Sequence, residues 1–201
     1  VASAKGEKVF KDGKDFFIES PGEGGTRRIS GTPVYVGCGI HEPGVWDDFA
    51  GLDIRGKPVF LGQYFPAKRN GEYPLPKMLR QKYGLGFPSM QKYPAIVERG
   101  ASCIIHVPRK NQAADWDGLL DLAHVFSLRP LPPYGAEWHF VPPVPVLVAS
   151  RALIDYFFKE KSFDPIQWDA PYETCEFQGH EMTVELDFAE ERMVAPNVVG
   201  L

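Results

Sequence analysis

The chain has 201 residues and a net charge of −4, a size at which a single hydrophobic core is feasible. Its acidic balance, with Lys and Arg scattered along the chain, argues against a basic nucleic-acid-binding face. No apolar run reaches the length of a bilayer span; the opening VASAKGEK lacks a hydrophobic segment of signal-peptide type, which says nothing about export of a mature chain.

Residues 8–18 alternate weakly around Lys11-Asp12-Gly13-Lys14, a sequence suited to a hairpin turn. SPGEGG at 20–25 is a glycine-rich loop, but it lacks the GxGxxG spacing and the Lys-Ser/Thr of a phosphate loop. Residues 33–62, PVYVGCGIHEPGVWDDFAGLDIRGKPVFLG, read as strand, turn, strand. The first strand spans 33–40, with glycines 37 and 39 marking a bend or a close backbone approach. Residues 41–53 carry the chemistry of turns and caps, Arg55-Gly56-Lys57 a tight turn, and 58–61 a short buried strand.

Short helices are expected over 75–83 and 89–99, the second starting late near Tyr93 because of Pro94 and closing at Gly100. A buried strand follows over 102–107. Residues 115–127, DWDGLLDLAHVFS, form the best amphipathic helix, with Asp115 as N-cap and a stripe of Trp116, Leu119, Leu120, Ala123 and Phe126. Residues 129–145 hold six prolines, which fits a rigid surface loop or a ligand for an aromatic-lined peptide-binding domain. A strand over 144–148 leads into a helix over 150–159. Strands over 172–177 and 181–188 flank the turn Gln178-Gly179, and Met182, Val184, Leu186 and Phe188 alternate with polar neighbours.

Catalytic motifs fail one by one. His180-Glu181 opens like a zincin helix, but the second histidine would fall at Val184 and the segment is patterned as a strand. Ser102 lacks the second glycine of a nucleophile elbow and sits in a strand. Cys103 and His106 are three apart, so on a strand they face opposite ways. The doublets Asp47-Asp48 and Glu190-Glu191 diverge, the first capping a turn. His41, His106, His124 and His139 are isolated in sequence. Cys38, Cys103 and Cys175 are either three free thiols or one disulfide and one thiol.

A strand ending VGCGI, the acidic turn DDFAGLD and the RGK turn into an apolar strand together resemble the protease-associated (PA) domain, of the kind inserted in secreted zinc aminopeptidases of the glutamate-carboxypeptidase and transferrin-receptor type. YPAIVERGASCIIHV (93–107) is similar to that family's helix entering a buried strand. VPVLVASRALIDYFF (144–158) is similar to its following strand and helix. The resemblance spans residues 33–200. It implies an α/β (α+β) fold, a curved mixed or antiparallel β-sandwich or open barrel flanked by short helices. The domain organisation it implies is an N-terminal flank over 1–32, a PA-like domain over 33–194 and, over 195–201, the start of a missing peptidase domain.

By the same resemblance, the chain is a non-catalytic domain covering or lining an active-site approach. It would be secreted or periplasmic and would contact peptide substrate, another protein and the parent peptidase domain, with no cofactor of its own. Zinc is expected only in the missing domain. A free-standing carbohydrate- or peptide-binding module is the alternative. Aromatic residues make up 13% of the chain, and those falling in loops supply the expected binding surface: Trp46, Tyr64, Phe65, Tyr73, Tyr134 and Trp138, with Phe87 and Trp168 of the same kind. An inserted domain also needs neighbouring ends, so the strand around 8–18 is expected to lie beside 183–188, and the apolar tail 195–201 to be poorly packed.

Overall fold

A computed structural model describes residues 1–3, 6–22, 26–62, 72–84, 91–127, 142–167 and 173–187, with the side chains of 122–127 left aside. In chain order the elements are β1 (Ala2–Ser3), β2 (Gly6–Glu7), β3 (Phe16–Ser20), β4 (Arg27–Gly31), β5 (Val34–Tyr35), β6 (His41–Glu42), β7 (Trp46–Asp47) and β8 (Pro58–Gly62). There follow α1 (Lys77–Gly84), α2 (Tyr93–Glu98), β9 (Cys103–Val107), α3 (Lys110–Ala114), α4 (Trp116–Ser127), β10 (Val146–Ala149), α5 (Arg151–Phe158), β11 (Cys175–Glu176) and β12 (His180–Leu186). The fold is mixed α+β, built on several sheets with short helices. Among the described residues no helix is long and apolar enough to cross a membrane.

A six-stranded sheet in the order β11-β5-β8-β9-β10-β3 is the frame. Its four inner strands run parallel, and β3 and β11 close the edges antiparallel. The inner strands read as continuous apolar runs because both faces are covered. Alternation then sorts their side chains. Tyr35, Phe60, Cys103, Ile105, Leu147 and Ala149 point to one core, which α5 and the inward residues of β12 complete. Val34, Val59, Leu61, Ile104 and Val146 point to a second core under α2. Helix α5 starts where it does because Ser150 sits extended and its hydroxyl accepts from Leu153 N–H. Asp115 caps α4 as expected, its carboxylate accepting from Gly118 N–H.

Several expectations are corrected. The strand over 33–40 shrinks to Val34–Tyr35: Gly37 (φ 57°) and Gly39 (φ 65°) turn the chain out of the sheet. The turn segment after it contains a two-stranded ribbon, β6 with β7. Residues 8–18 do not form a hairpin; Lys11 O accepts from Lys14 and Asp15 N–H in a tight turn, and only β3 is a strand.

Nor does that segment pair with 183–187. Strand β3 pairs with β10, and β12 pairs with β4 and β1 in a four-stranded sheet ordered β2-β1-β12-β4. Across the β12–β4 pair Arg28 lies opposite Glu185 and forms an ion pair with it, and the Ser30 and Thr183 hydroxyls meet at 3.0 Å. The tail 195–201 and the doublet Glu190-Glu191 lie outside the described residues.

Candidate functional site

Where β8 ends, Gly62 N–H donates to Gly37 O at 2.8 Å, and a Cβ on Gly62 would stand 2.7 Å from that oxygen. Only glycine permits this approach. The freed Gly62 carbonyl accepts from Lys92 Nζ at 3.1 Å, although Lys92 is only 1% exposed. Burial pulls the Lys92 pKa down to about 8, with the negative charge of Asp48 opposing the fall. Asp48 is 5% exposed and accepts from Ile40 N–H at 2.9 Å and Trp46 Nε1–H at 2.7 Å. Burial nevertheless raises its pKa to about 6 against those two bonds and the Lys92 charge. Cys38 is only half-buried as a residue, but desolvation of its thiol pushes the pKa to about 12, and burial does the same for Cys103. All three cysteines are free, and neither Cys38 nor Cys103 is a thiolate near neutrality.

Beside this lies a second polar set. Tyr93 Oη is 2.6 Å from His106 Nε2, and the Tyr93 hydroxyl is also hydrogen bonded to the Glu19 carboxylate. Since Tyr93 has one proton and a carboxylate only accepts, His106 Nε2–H donates to Tyr93 Oη. Nδ1 of His106 is then a bare acceptor, buried without a hydrogen-bond partner among the described residues. Burial, helped by the Lys92 charge, lowers the His106 pKa to about 3, so the ring is neutral. Glu19 is raised by desolvation and lowered by Tyr93; because its side chain is 49% exposed, solvent screens much of that rise. Lys92 and His106 lie near the carboxyl ends of β8 and β9, where open α/β sheets generally place ligand sites, and Glu19 reaches His106 from the antiparallel edge strand β3.

In front of them stands the β6–β7 ribbon, tied to α1. Glu42 accepts from Tyr83 Oη–H at 2.7 Å and pairs with Lys82. Ile40, Leu75 and Tyr83 form a small core, with Trp46 and Leu79 packed on it. Of the four large hydrophobic residues most exposed among those described, Val45, Tyr73 and Met78 belong to this unit. Arg80 lies over the Tyr73 ring at 4.3 Å.

The sequence-derived aromatic surface is thus divided. Trp46 is partly buried and held by Asp48; Tyr73 is open to solvent. Tyr64, Phe65, Tyr134 and Trp138, like Phe87 and Trp168, lie outside the described residues. Asp47 and Asp48 diverge: Asp47 Oδ1 accepts from Phe49 N–H in a turn, while Asp48 points inward. Cys103 and His106 fall on opposite faces of β9. Sequence reasoning overlooked Lys92, Glu19 and the pairing of Tyr93 with His106. One signal was available: a histidine inside the apolar run CIIHV is a buried polar group that needs a partner. Among the described residues no three His, Cys, Asp or Glu side chains are grouped to hold a metal ion.

No family model matches the chain, and no curated protein or solved structure matches it.

Proposed function

We propose that this chain is a non-catalytic domain of the protease-associated type from a zinc aminopeptidase-like protein that works outside the cytoplasm. It covers or lines the approach to an active site and binds peptide or protein through the ribbon–α1 face. The observation that carries the binding role is the concentration of exposed Val45, Tyr73 and Met78 on one tethered unit. Apolar and aromatic side chains left in solvent on a fixed support are what binding surfaces are made of.

The three segments carrying the family resemblance supply β5 and β8, α2 and β9, and β10 and α5, which together form the parallel centre of the sheet. The pairing of β1 with β12 brings the first and last described strands together, as a domain inserted in a host chain requires. Zinc and catalysis are assigned to the host's peptidase domain.

The test is a peptide titration followed by amide NMR, together with an assay on aminoacyl-nitroanilides. The reading predicts shifts at Val45, Tyr73 and Met78, their loss in Met78→Glu, and no hydrolysis. Chelator-sensitive hydrolysis with stoichiometric zinc, or peptide-induced shifts only elsewhere, would overturn it.

A further inference from the structure

Helix α1, KMLRQKYG, holds three cations and no acid, and its two flanks treat them differently. Leu79 and Tyr83 turn toward the small core under the ribbon, and the helical period then sets Lys82 to one side of them and Lys77 with Arg80 to the other. Lys82 is neutralised by Glu42, which also accepts from Tyr83 Oη–H. Lys77 and Arg80 are not: neither forms an ion pair with a described residue. Arg80 is half-buried, its guanidinium over the Tyr73 ring at 4.3 Å from the centroid. Its Nε–H is buried without an acceptor among the described residues. Stacking on a ring holds the plane of a guanidinium without cancelling its charge. The fork is thus held flat, charged and unanswered.

The acids of the same unit are engaged elsewhere. Asp47 accepts from Phe49 N–H and lies 3.1 Å from His41 Nδ1, and Asp48 is buried against Ile40 N–H and Trp46. Glu72 is exposed and forms no ion pair with a described residue. It is the one acid between 63 and 90, against Lys68, Arg69, Lys77, Arg80 and Lys82, so this stretch carries +4 in a chain of net charge −4. Residues 63–71 and 85–90 lie outside the described residues, and since none of them is acidic they do not supply the missing carboxylate. Cations three residues apart on a helix repel each other. A guanidinium fork is matched best by a carboxylate, and an ammonium takes a second one as a point charge. A chain terminus offers only one carboxylate. A nucleic acid draws its affinity from many neutralised phosphates, and this flank presents two cations. Neighbouring acidic side chains of a peptide supply what is missing, and exposed Tyr73 and Met78 take an apolar residue beside them.

We infer that the Lys77–Arg80 flank of α1 binds an acidic peptide segment, with one side-chain carboxylate on the Arg80 guanidinium and a second on the Lys77 ammonium. This rests on the peptide-binding reading of the ribbon–α1 face and adds to it the charge of the peptide.

The experiment is calorimetry and amide NMR on the full chain with three short peptides, acetylated and amidated so that no terminal charge remains. They share their apolar residues and differ at two neighbouring positions, which are Glu, Gln or Lys; a single-stranded oligonucleotide is the polyanion control. The Glu peptide should bind about tenfold tighter than the Gln peptide at low salt, as a charge-assisted bond to an arginine does, and shift the Arg80 Nε–H resonance. That advantage should shrink as ionic strength rises. Arg80→Gln should remove most of it with the fold intact, because the guanidinium has no acceptor to lose, and should leave the Gln peptide within about twofold. Arg80→Lys, which keeps the charge but not the fork, should restore only part, and Lys77→Gln should cost the Glu peptide a few-fold. Equal binding of the three peptides, preference for the Lys peptide or the oligonucleotide, or a Glu preference indifferent to both Gln substitutions would overturn this assignment and leave the peptide reading of the face standing. No binding by any of the three peptides would overturn both.

Discussion

The two faces of the central sheet solve the same burial problem with different chemistry. Toward α5, Phe60, Phe157, Phe158 and Phe177 meet as ring pairs with centroids 5.0–6.0 Å apart. Tyr35 meets Phe158 edge-on at 5.1 Å. Toward α2 the aliphatic core gives way, at the strand ends, to Lys92, His106 and Asp48, each 5% exposed or less. The first face is apolar packing and carries stability. The second buries ionisable groups at a cost that packing alone does not require. The exposed ribbon–α1 unit is mounted directly on this polar edge through Asp48 and Trp46.

The comparison can be broken most forcefully at Phe60. Phe60→Ala should destabilise the chain by about 3–5 kcal/mol, because the ring is fully buried among three others. Urea denaturation measures this; a loss below about 1 kcal/mol would mean the aromatic face is not the main support.

The polar face is sharpened by pH. His106 has its folded pKa lowered from 6.5 to about 3, so stability present above pH 6.5 is lost as pH falls toward 3. Asp48 is raised from 3.8 to about 6, so its contribution is fully present below 3.8 and lost as pH rises through 6. Glu19 has the sign of Asp48, reduced by its exposure. Between pH 4 and 6 the His106 and Asp48 slopes oppose each other. The parent chain should therefore be nearly flat there. Asp48→Asn should lose about 2 kcal/mol on acidification from pH 6 to 4, and His106→Gln should gain a similar amount. Denaturation midpoints across that window decide it; parallel pH profiles in all three proteins would count against the buried polar edge.

A smaller effect returns to the aromatic face. Ser150→Ala removes the cap of α5 and should cost about 1 kcal/mol, read as a shift in urea midpoint without a change of slope. The smallest belongs to the surface: Glu185→Ala breaks an exposed pair with Arg28, both side chains about two-thirds solvent-accessible, and should change stability by less than about 1 kcal/mol.

How much of this could be read from the chain depends on whether a signal is local. The apolar runs at β8, β9 and β10 and the helices α2, α4 and α5 were readable, because buried parallel strands and amphipathic helices leave continuous patterns. The partner of β12 was not, since strand pairing depends on residues far apart in sequence; Arg28 and Glu185 are separated by 157 positions. The shortening of the strand over 33–40 was signalled by Gly37 and Gly39 but not fixed by them, as glycine permits a turn without requiring one. Lys92 and Glu19 have ordinary surface-residue identities. Only the folding of β3, β9 and the start of α2 onto one another makes them neighbours of His106.

The most direct measurement is the pH titration of the His106 ring nitrogens by NMR. The account predicts a neutral ring with Nε2 protonated and Nδ1 bare, unchanged from pH 8 down to pH 4.5, while the Asp48 carboxyl titrates near pH 6. A His106 that takes up its proton near pH 6.5, or one protonated on Nδ1 in the neutral form, would contradict the buried polar edge.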